Sequence, residues 1–114
     1  MQDPPRGRAP LQFQLEEISE HPRTTLLLAG ELDSATVPQL EVAFERAVQT
    51  DAEEIVVDLE RLTFIDSTGL QALVAAHRRF DGDGPSLLVR RPSNEVARVF
   101  TLVGLDKLLR IVED

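Results

Sequence analysis

The segment EIVVDLERLTFIDSTGLQALV, residues 54–74, decides the fold because it joins a buried strand to an amphipathic helix. Its first part, residues 54–59, contains the apolar run 55–57, which is typical of a central strand covered on both faces. The stretch ERLTFID then predicts a short linker. A helix that ends near Phe80 follows, with apolar-side residues at the spacing i, i+3, i+4, i+7, namely Leu70, Leu73, Val74 and His77. The segment therefore predicts a strand, a linker and a helix in that order.

Two strands are predicted upstream of this segment. Leu11, Phe13 and Leu15 alternate with polar residues, which is typical of a strand with one wet face. A second strand, residues 24–29, is nearly all apolar or β-branched and is predicted to end at Gly30. Folded structure is therefore expected from about Leu11 onward, after a flexible arm of residues 1–10.

A change of period after the second strand predicts the first helix. Its apolar residues are Val37, Leu40, Phe44, Ala47 and Val48. Thr36 and Gln39 have the T-x-x-Q spacing of a capping box, and Pro38 is tolerated because it lies in the first turn. The helix is therefore predicted to start near Thr36.

The chain after the turn sequence DGDGP predicts a strand at residues 86–89, a third helix and a last short strand at residues 108–112. Ser93 is the predicted N-cap of the helix, and Gly104 is its predicted end. Its apolar face comprises Val96, Val99, Phe100 and Val103. The whole pattern predicts an α/β domain, residues 11–114, with a mixed sheet of four or five strands and three or more helices packed on it.

The composition restricts the classes of partner and site. The 114 residues leave room for one domain, and the net charge of -8 disfavours nucleic acid and anionic membranes, so proteins with basic patches are the expected partners. The absence of cysteine excludes disulfides, thiolate nucleophiles and cysteine-based zinc sites. The apolar stretches are far shorter than the roughly 20 residues of a membrane span, and residues 1–10 lack the apolar segment of a secretory signal. We therefore expect a cytoplasmic location and no membrane span.

Catalysis finds little support among the titratable residues. His21 lies beside Pro22 in a predicted turn, and His77 lies on the apolar side of the second helix. Neither has an evident nucleophile partner, and a half-buried structural role is the favoured interpretation of His77. We therefore predict no catalytic residue, no metal site and no cofactor.

A phosphoacceptor aspartate of the response-regulator type is a second interpretation, because Asp58 follows the apolar strand. Such a site needs an acidic pair after the first strand and a lysine near the last. Here Glu31 and Asp33 follow the second strand, and the sole lysine is Lys107. A receiver also alternates strand and helix throughout, whereas two consecutive strands open this domain. The interpretation is therefore disfavoured.

A third interpretation centres on FIDSTGL, residues 64–70, where the linker turns into the helix. A helix start is receptive to negative charge, so the hydroxyl of Ser67 or Thr68 can carry a phosphate there. A simpler alternative is that Asp66 or Ser67 only caps the helix. Gly69 costs about 1 kcal/mol against alanine in a helix, so it serves either the approach of a partner backbone or a tight contact inside the protein. Local chemistry leaves these alternatives open.

FIDSTGL, preceded by the strand IVVDLERL, resembles the signature of bacterial anti-sigma factor antagonists of the STAS family. The stretch GELD, residues 30–33, is similar to the family's other characteristic motif. VARVFTLVGLDKLLRI, residues 96–111, resembles its closing helix and last strand. Order and spacing agree over residues 11–112, so the resemblance implies the STAS fold for nearly the whole chain.

The resemblance also implies a function. In the family, the residue directly after the motif aspartate receives phosphate from a partner that is both anti-sigma factor and serine kinase, and here that residue is Ser67. A phosphoserine phosphatase is the implied second partner, and the chain itself is expected to be a binding module rather than an enzyme. The implied partner-binding residues are Asp33, Asp66, Ser67, Thr68 and Gly69. An alternative is a kinase-independent STAS subunit of a multiprotein assembly, such as a lipid-transport complex.

Overall fold

The computed structural model describes residues 12–82 and 84–113. The predicted arm at residues 1–10 and the predicted first strand residue Leu11 lie outside the described residues. The elements, in chain order, are β1 (Gln14–Glu20), β2 (Arg23–Leu32), α1 (Val37–Gln49), β3 (Glu54–Ile65), α2 (Ser67–Arg79), β4 (Ser86–Arg90), α3 (Asn94–Val103), a 3₁₀ turn (Leu105–Lys107) and β5 (Ile111–Val112).

The strands form one mixed sheet in the order β1-β2-β3-β4-β5. β1 pairs with β2 in an antiparallel ladder, and the later neighbours pair in parallel. A short turn can join antiparallel neighbours, whereas each parallel pair needs a crossover, which α1, α2 and α3 supply. The predicted mixed α/β sheet with β3 at its centre is therefore confirmed.

The core lies between the sheet and the three helices. Strand residues Leu26, Leu28, Ile55 and Val57 belong to one buried cluster with Leu40, Phe44, Leu73 and Phe100 from the helices. Phe44 and Phe80 meet edge to face, with ring centroids 5.8 Å apart. The apolar residues that recur at helical spacing in the sequence thus form the helix faces that pack against the sheet.

β2 and β3 are longer than the sequence predicted. Gly30 adopts φ 93° but does not end β2, which continues to Leu32 through two register shifts. The predicted linker ERLTFID is wrong, because residues 60–65 belong to β3 and pair with β2. The charged pair at its start resembles a loop in sequence, yet β2 supplies backbone partners, and Leu62 and Ile65 enter the core.

The helix starts and ends are partly as predicted. α1 starts after Thr36, but the predicted capping box does not form, because Thr36 has helical rather than extended dihedrals and its side chain makes no cap hydrogen bond. Ser93 does cap α3 by accepting a hydrogen bond from the Val96 amide, and Gly104 ends α3 in the left-handed conformation. Val103, predicted on the buried face of α3, is instead 55% exposed, because it lies in the last turn before Gly104.

Candidate functional site

Two loops meet at the carboxyl end of the central strands. β2 and β3 are parallel neighbours, so the loops that follow them leave the same edge of the sheet. The Asp66 amide donates a hydrogen bond to the Leu32 carbonyl at 3.2 Å, which ties one loop to the other. Asp33 of the GELD motif therefore lies near residues 66–69 of the FIDSTGL motif, so the predicted partner-binding residues share one edge of the sheet.

Asp66 is the N-cap of α2. Its backbone is extended, and its Oδ1 accepts a hydrogen bond from the Gly69 amide at 3.0 Å. The cap is therefore Asp66 rather than Ser67, which resolves one alternative left open by the sequence. Ser67 becomes the first helical residue and is exposed, whereas Thr68 is half-buried. The Ser67 hydroxyl is thus in reach of a modifying enzyme.

Gly69 is buried against the protein's own chain. A Cβ built on it would lie 2.7 Å from Ile65 Cγ1 and 2.9 Å from the Leu32 carbonyl oxygen. Both distances are shorter than a carbon atom tolerates, and the carbonyl belongs to the sheet backbone and cannot swing aside. Of the two interpretations of Gly69, the structure supports the internal contact, while a contact with a partner stays a prediction.

Asp33 organises the loop between β2 and α1. Its Oδ1 accepts hydrogen bonds from the Ala35 amide at 3.0 Å and the Thr36 amide at 3.2 Å. The Thr36 hydroxyl accepts from the Asp33 amide and donates to the Glu31 carbonyl, both at 2.9 Å. The Thr36 hydroxyl is therefore engaged within the loop and does not bond an amide of the first turn of α1. This explains why the predicted capping box is absent. The role of Asp33 in partner binding stays a prediction.

Phe64 is a residue at this edge that the sequence analysis did not single out. It pairs in register with Glu31 of β2, and its side chain is 48% exposed. Because the surrounding residues were interpreted as a linker, no strand alternation was available to separate outward from inward side chains. Strict alternation from the buried Leu62 would place Phe64 inward, and the register shift between Gly30 and Glu31 turns it outward, so no short sequence pattern shows its exposure.

Asp58 has a different environment, near the middle of β3. Its side chain is 4% exposed and accepts hydrogen bonds from Arg90 Nε at 2.9 Å, Arg91 Nη2 at 2.7 Å and the Glu60 amide at 3.0 Å. Burial acts to raise the pKa of Asp58, but the hydrogen bonds from Arg91, the Glu60 amide and Arg90 outweigh it and lower the pKa below its usual value. A carboxylate so enclosed is not placed to accept phosphate.

The histidines take peripheral positions. His77 is half-buried on α2, as predicted, and His21 is exposed. Within residues 12–82 and 84–113, no group of three or more His, Asp or Glu side chains is placed to hold a metal ion. None of the helices in that part of the chain is long and apolar enough to cross a membrane.

The sequence and the fold both match known proteins. Residues 17–112 match the family described as "Mlab, STAS domain". The anti-sigma-B factor antagonist of Staphylococcus aureus is 28% identical over 103 residues, which cover 90% of this chain and 95% of the relative.

Solved structures of anti-sigma factor antagonists share the fold. The antagonist from Mycobacterium paratuberculosis superposes with a TM-score of 0.79 at 25% identity, covering 90% of this chain and 87% of that one. The unphosphorylated form of SpoIIAA gives 0.70 at 28% identity, covering 88% and 87%. The phosphorylated Bacillus form gives 0.65 at 28% identity, covering 88% and 90%. The match over residues 17–112 and these superpositions show that the chain belongs to the STAS-domain family.

Proposed function

We propose that the chain is an anti-sigma factor antagonist, that it binds an anti-sigma factor serine kinase to free a sigma factor, and that phosphorylation of Ser67 ends this binding. The observation that carries the proposal is the exposed Ser67 hydroxyl in the first turn of α2, directly after the Asp66 cap. Relatives and structural neighbours named anti-sigma factor antagonists support it, and one of them, SpoIIAA, is known in unphosphorylated and phosphorylated forms.

The unmodified edge has the composition of a protein-binding surface. Phe64 offers an exposed aromatic ring, and aromatic side chains are enriched among residues that dominate binding energy. Ser67 lies three positions further along, and the Asp33 loop reaches the same edge. The partner therefore docks on the two loops and the start of α2 together.

Phosphate at Ser67 changes this surface without unfolding it. The modification adds a charge of about -1.5 to -2 at neutral pH, together with a hydration shell. The first turn of α2 tolerates negative charge because its amides and dipole favour it. The phosphate adds its charge and bulk next to the Asp66 carboxylate, so the surface becomes more negative and more strongly hydrated. A partner that packs closely on this edge is therefore released, while the domain stays folded.

The chemical steps belong to the partners in this proposal. The kinase supplies ATP, its metal and the transition-state contacts, and a phosphoserine phosphatase restores the hydroxyl. The chain itself acts as substrate and binding module in the cytoplasm. Thr68 is half-buried and supports the loop.

Substitutions at Ser67 test the switch. Ser67→Ala should abolish phosphorylation by the cognate anti-sigma factor kinase with ATP, yet keep partner affinity within about twofold, because it removes the hydroxyl and adds no charge. Ser67→Glu should weaken binding by about tenfold, since one carboxylate only partly imitates phosphate. Ser19→Ala, at an exposed serine of β1 that pairs with Thr24 near the amino end of β2, is the matched control and should leave both properties unchanged. Calorimetry and phosphosite mapping measure the two outcomes.

Two results would contradict the proposal. One is modification of Ser67→Ala at the usual level on another residue, Thr68 included. The other is a genuine phospho-Ser67 protein that binds the kinase as tightly as the unmodified protein. Stable purification with transport proteins, without any phosphorylation, would favour the alternative of a kinase-independent subunit.

A further inference from the structure

An apolar groove runs along α2 from the candidate phosphorylation site. Its volume is about 370 Å³, and Ser67 lies at one end and Arg78 at the other. One wall is the α2 stripe with Leu70 and Val74, and the opposite wall holds Val103 at the end of α3. We call this feature the α2–α3 groove. Because Ser67 belongs to its lining, the groove is continuous with the proposed partner surface.

The length of the groove corresponds to about three turns of an α-helix. Ser67 and Arg78 are separated by about 16 Å along α2, at about 1.5 Å per residue, which is roughly three helical turns. Leu70 and Val74 lie one turn apart on that stripe and are half-buried. A helix laid in such a groove presents apolar side chains at i, i+3 or i+4, and i+7.

The two walls differ in exposure, because Leu70 and Val74 pack partly against the core, whereas Val103 faces outward. Val103 is 55% exposed at the rim of the groove, whereas Leu105 of the 3₁₀ turn is buried at its base. α3 stops directly after Val103 because Gly104 takes the left-handed conformation, so the rim is set by the backbone. Exposed apolar surface beside a groove marks an interaction site when it is continuous with one.

The charges along the groove are asymmetric. Arg78 carries the one charge among the described lining residues, and it lies at the end away from Ser67. The other end lies beside the Asp66 carboxylate. The chain as a whole carries a net charge of -8, so most of its surface repels an acidic group of a partner. The Arg78 end of the groove attracts such a group instead.

We propose that an amphipathic helix of the anti-sigma factor lies in the α2–α3 groove, with its apolar side chains packed between Val74 and Val103 and an acidic side chain paired with Arg78. This inference rests on the proposed function and deepens it. Phosphate on Ser67 then lies at the end of the groove, where its charge and hydration oppose the entry of an apolar helix. The switch and the binding groove are therefore parts of one surface.

Two adjacent residues of α3 allow a matched test. Val103→Glu places a charge in the groove, whereas Leu102→Glu places the same charge on a side chain that is 78% exposed and does not line it. The probe is the purified cognate anti-sigma factor kinase, with Ser67 unmodified. Val103→Glu should weaken its binding by about tenfold or more, and Leu102→Glu should change it by less than about twofold.

Reversal of the positive end provides a second arm. Arg78→Glu should weaken kinase binding by about fivefold, and changing the paired acidic residue of the kinase to lysine should restore it. Circular dichroism and thermal unfolding establish that each variant is folded. If Val103→Glu does not fold, Val103→Ser, which removes the apolar wall without adding charge, should still weaken binding by about threefold.

The outcomes separate the groove from the switch. Equal kinase affinity of Val103→Glu and wild type would overturn the groove proposal while leaving phosphorylation of Ser67 intact. A change in self-association, measured by sedimentation without a change in kinase affinity, would assign the groove to a second copy and would also overturn it. A wild-type protein that neither binds the kinase nor is phosphorylated would refute the proposed function and the groove with it.

Discussion

Asp58 lies within β3 and Asp66 directly follows the end of that strand, yet one carboxylate is enclosed and the other lies near the surface. Asp58 is enclosed by Arg90, Arg91 and the Glu60 amide, and almost none of its side chain reaches solvent. Asp66 is half-buried and uses one oxygen to cap α2. In sequence both are aspartates after apolar residues.

The difference shows which aspartate organises the interior and which organises a surface. The bonds to Asp58 join β3 to the end of β4, and removing the carboxylate would leave the two arginines without their shared counter-charge, which destabilises the fold. The bond to Asp66 fixes the start of a helix and leaves the next residue, Ser67, exposed. Substitutions at the two aspartates should therefore differ in their effects on stability.

The largest loss of stability is expected from Asp58→Asn. The variant leaves Arg90 and Arg91 without their shared carboxylate, and breaking a buried ion pair costs about 3 kcal/mol when the partners keep some solvent. Urea unfolding at pH 7 measures it. Glu45→Gln, which breaks the exposed pair with Arg79, is the control and should leave the urea midpoint nearly unchanged.

The same carboxylate should make stability depend on acid. The pKa of Asp58 is lower in the folded protein than its usual value, so the folded state favours the ionised form. Its contribution is complete above the unfolded pKa of about 3.9 and is lost as pH falls through the folded pKa. Asp58→Asn should flatten this part of the pH profile. Equal losses in Asp58→Asn and Glu45→Gln would contradict the interior role.

Gly69→Ala should have the next largest effect. Alanine favours a helix by about 1 kcal/mol over glycine, but its methyl group would collide with Ile65 and the Leu32 carbonyl. Overpacking of this kind costs about 1–3 kcal/mol, and we expect a net loss of about 1–2 kcal/mol in urea unfolding. Gln71→Ala, at an exposed position of the same helix, should show no loss. A Gly69→Ala protein as stable as wild type would show that the close contact is not the reason for glycine.

Asp66→Ala should have the smallest effect of the three. It removes the acceptor of the Gly69 amide, and loss of an N-cap costs about 1 kcal/mol. Asp66→Asn keeps a capping oxygen and should retain most of the stability when both variants are measured by urea unfolding. If Asp66→Asn loses as much as Asp66→Ala, the charge of the cap rather than its hydrogen bond stabilises α2.

The fold was largely predictable because its core depends on local periods. The apolar residues of α1 and α2 recur at helical spacing and those at the start of β3 form a continuous run, so a short window shows all three. The extension of β3 through residues 60–65 was not predictable in this way, because it depends on pairing with β2, about thirty positions earlier in the chain. Charged residues on an outward strand face look like a loop until the partner strand is known.

The site was predictable in position but not in its internal contacts. The hydroxyl after Asp66 follows from the motif, whereas the tie between Asp66 and Leu32 joins distant residues. The two arginines that hold Asp58 come from β4 and the residue after it, so no short window shows the pair. The exposure of Val103 depends on where Gly104 ends α3, which moves the last turn away from the core.

Because the Leu32 carbonyl accepts the Asp66 hydrogen bond and Gly69 packs closely against Leu32, the two loops at the carboxyl edge form one preassembled surface. Ordering a backbone residue costs about 1–2 kcal/mol of conformational entropy, and a partner that meets an ordered surface does not incur that cost. On the proposed function, the unmodified protein therefore needs less contact area to reach a given affinity. Under the same proposal, binding and release of the partner then require no refolding of this edge.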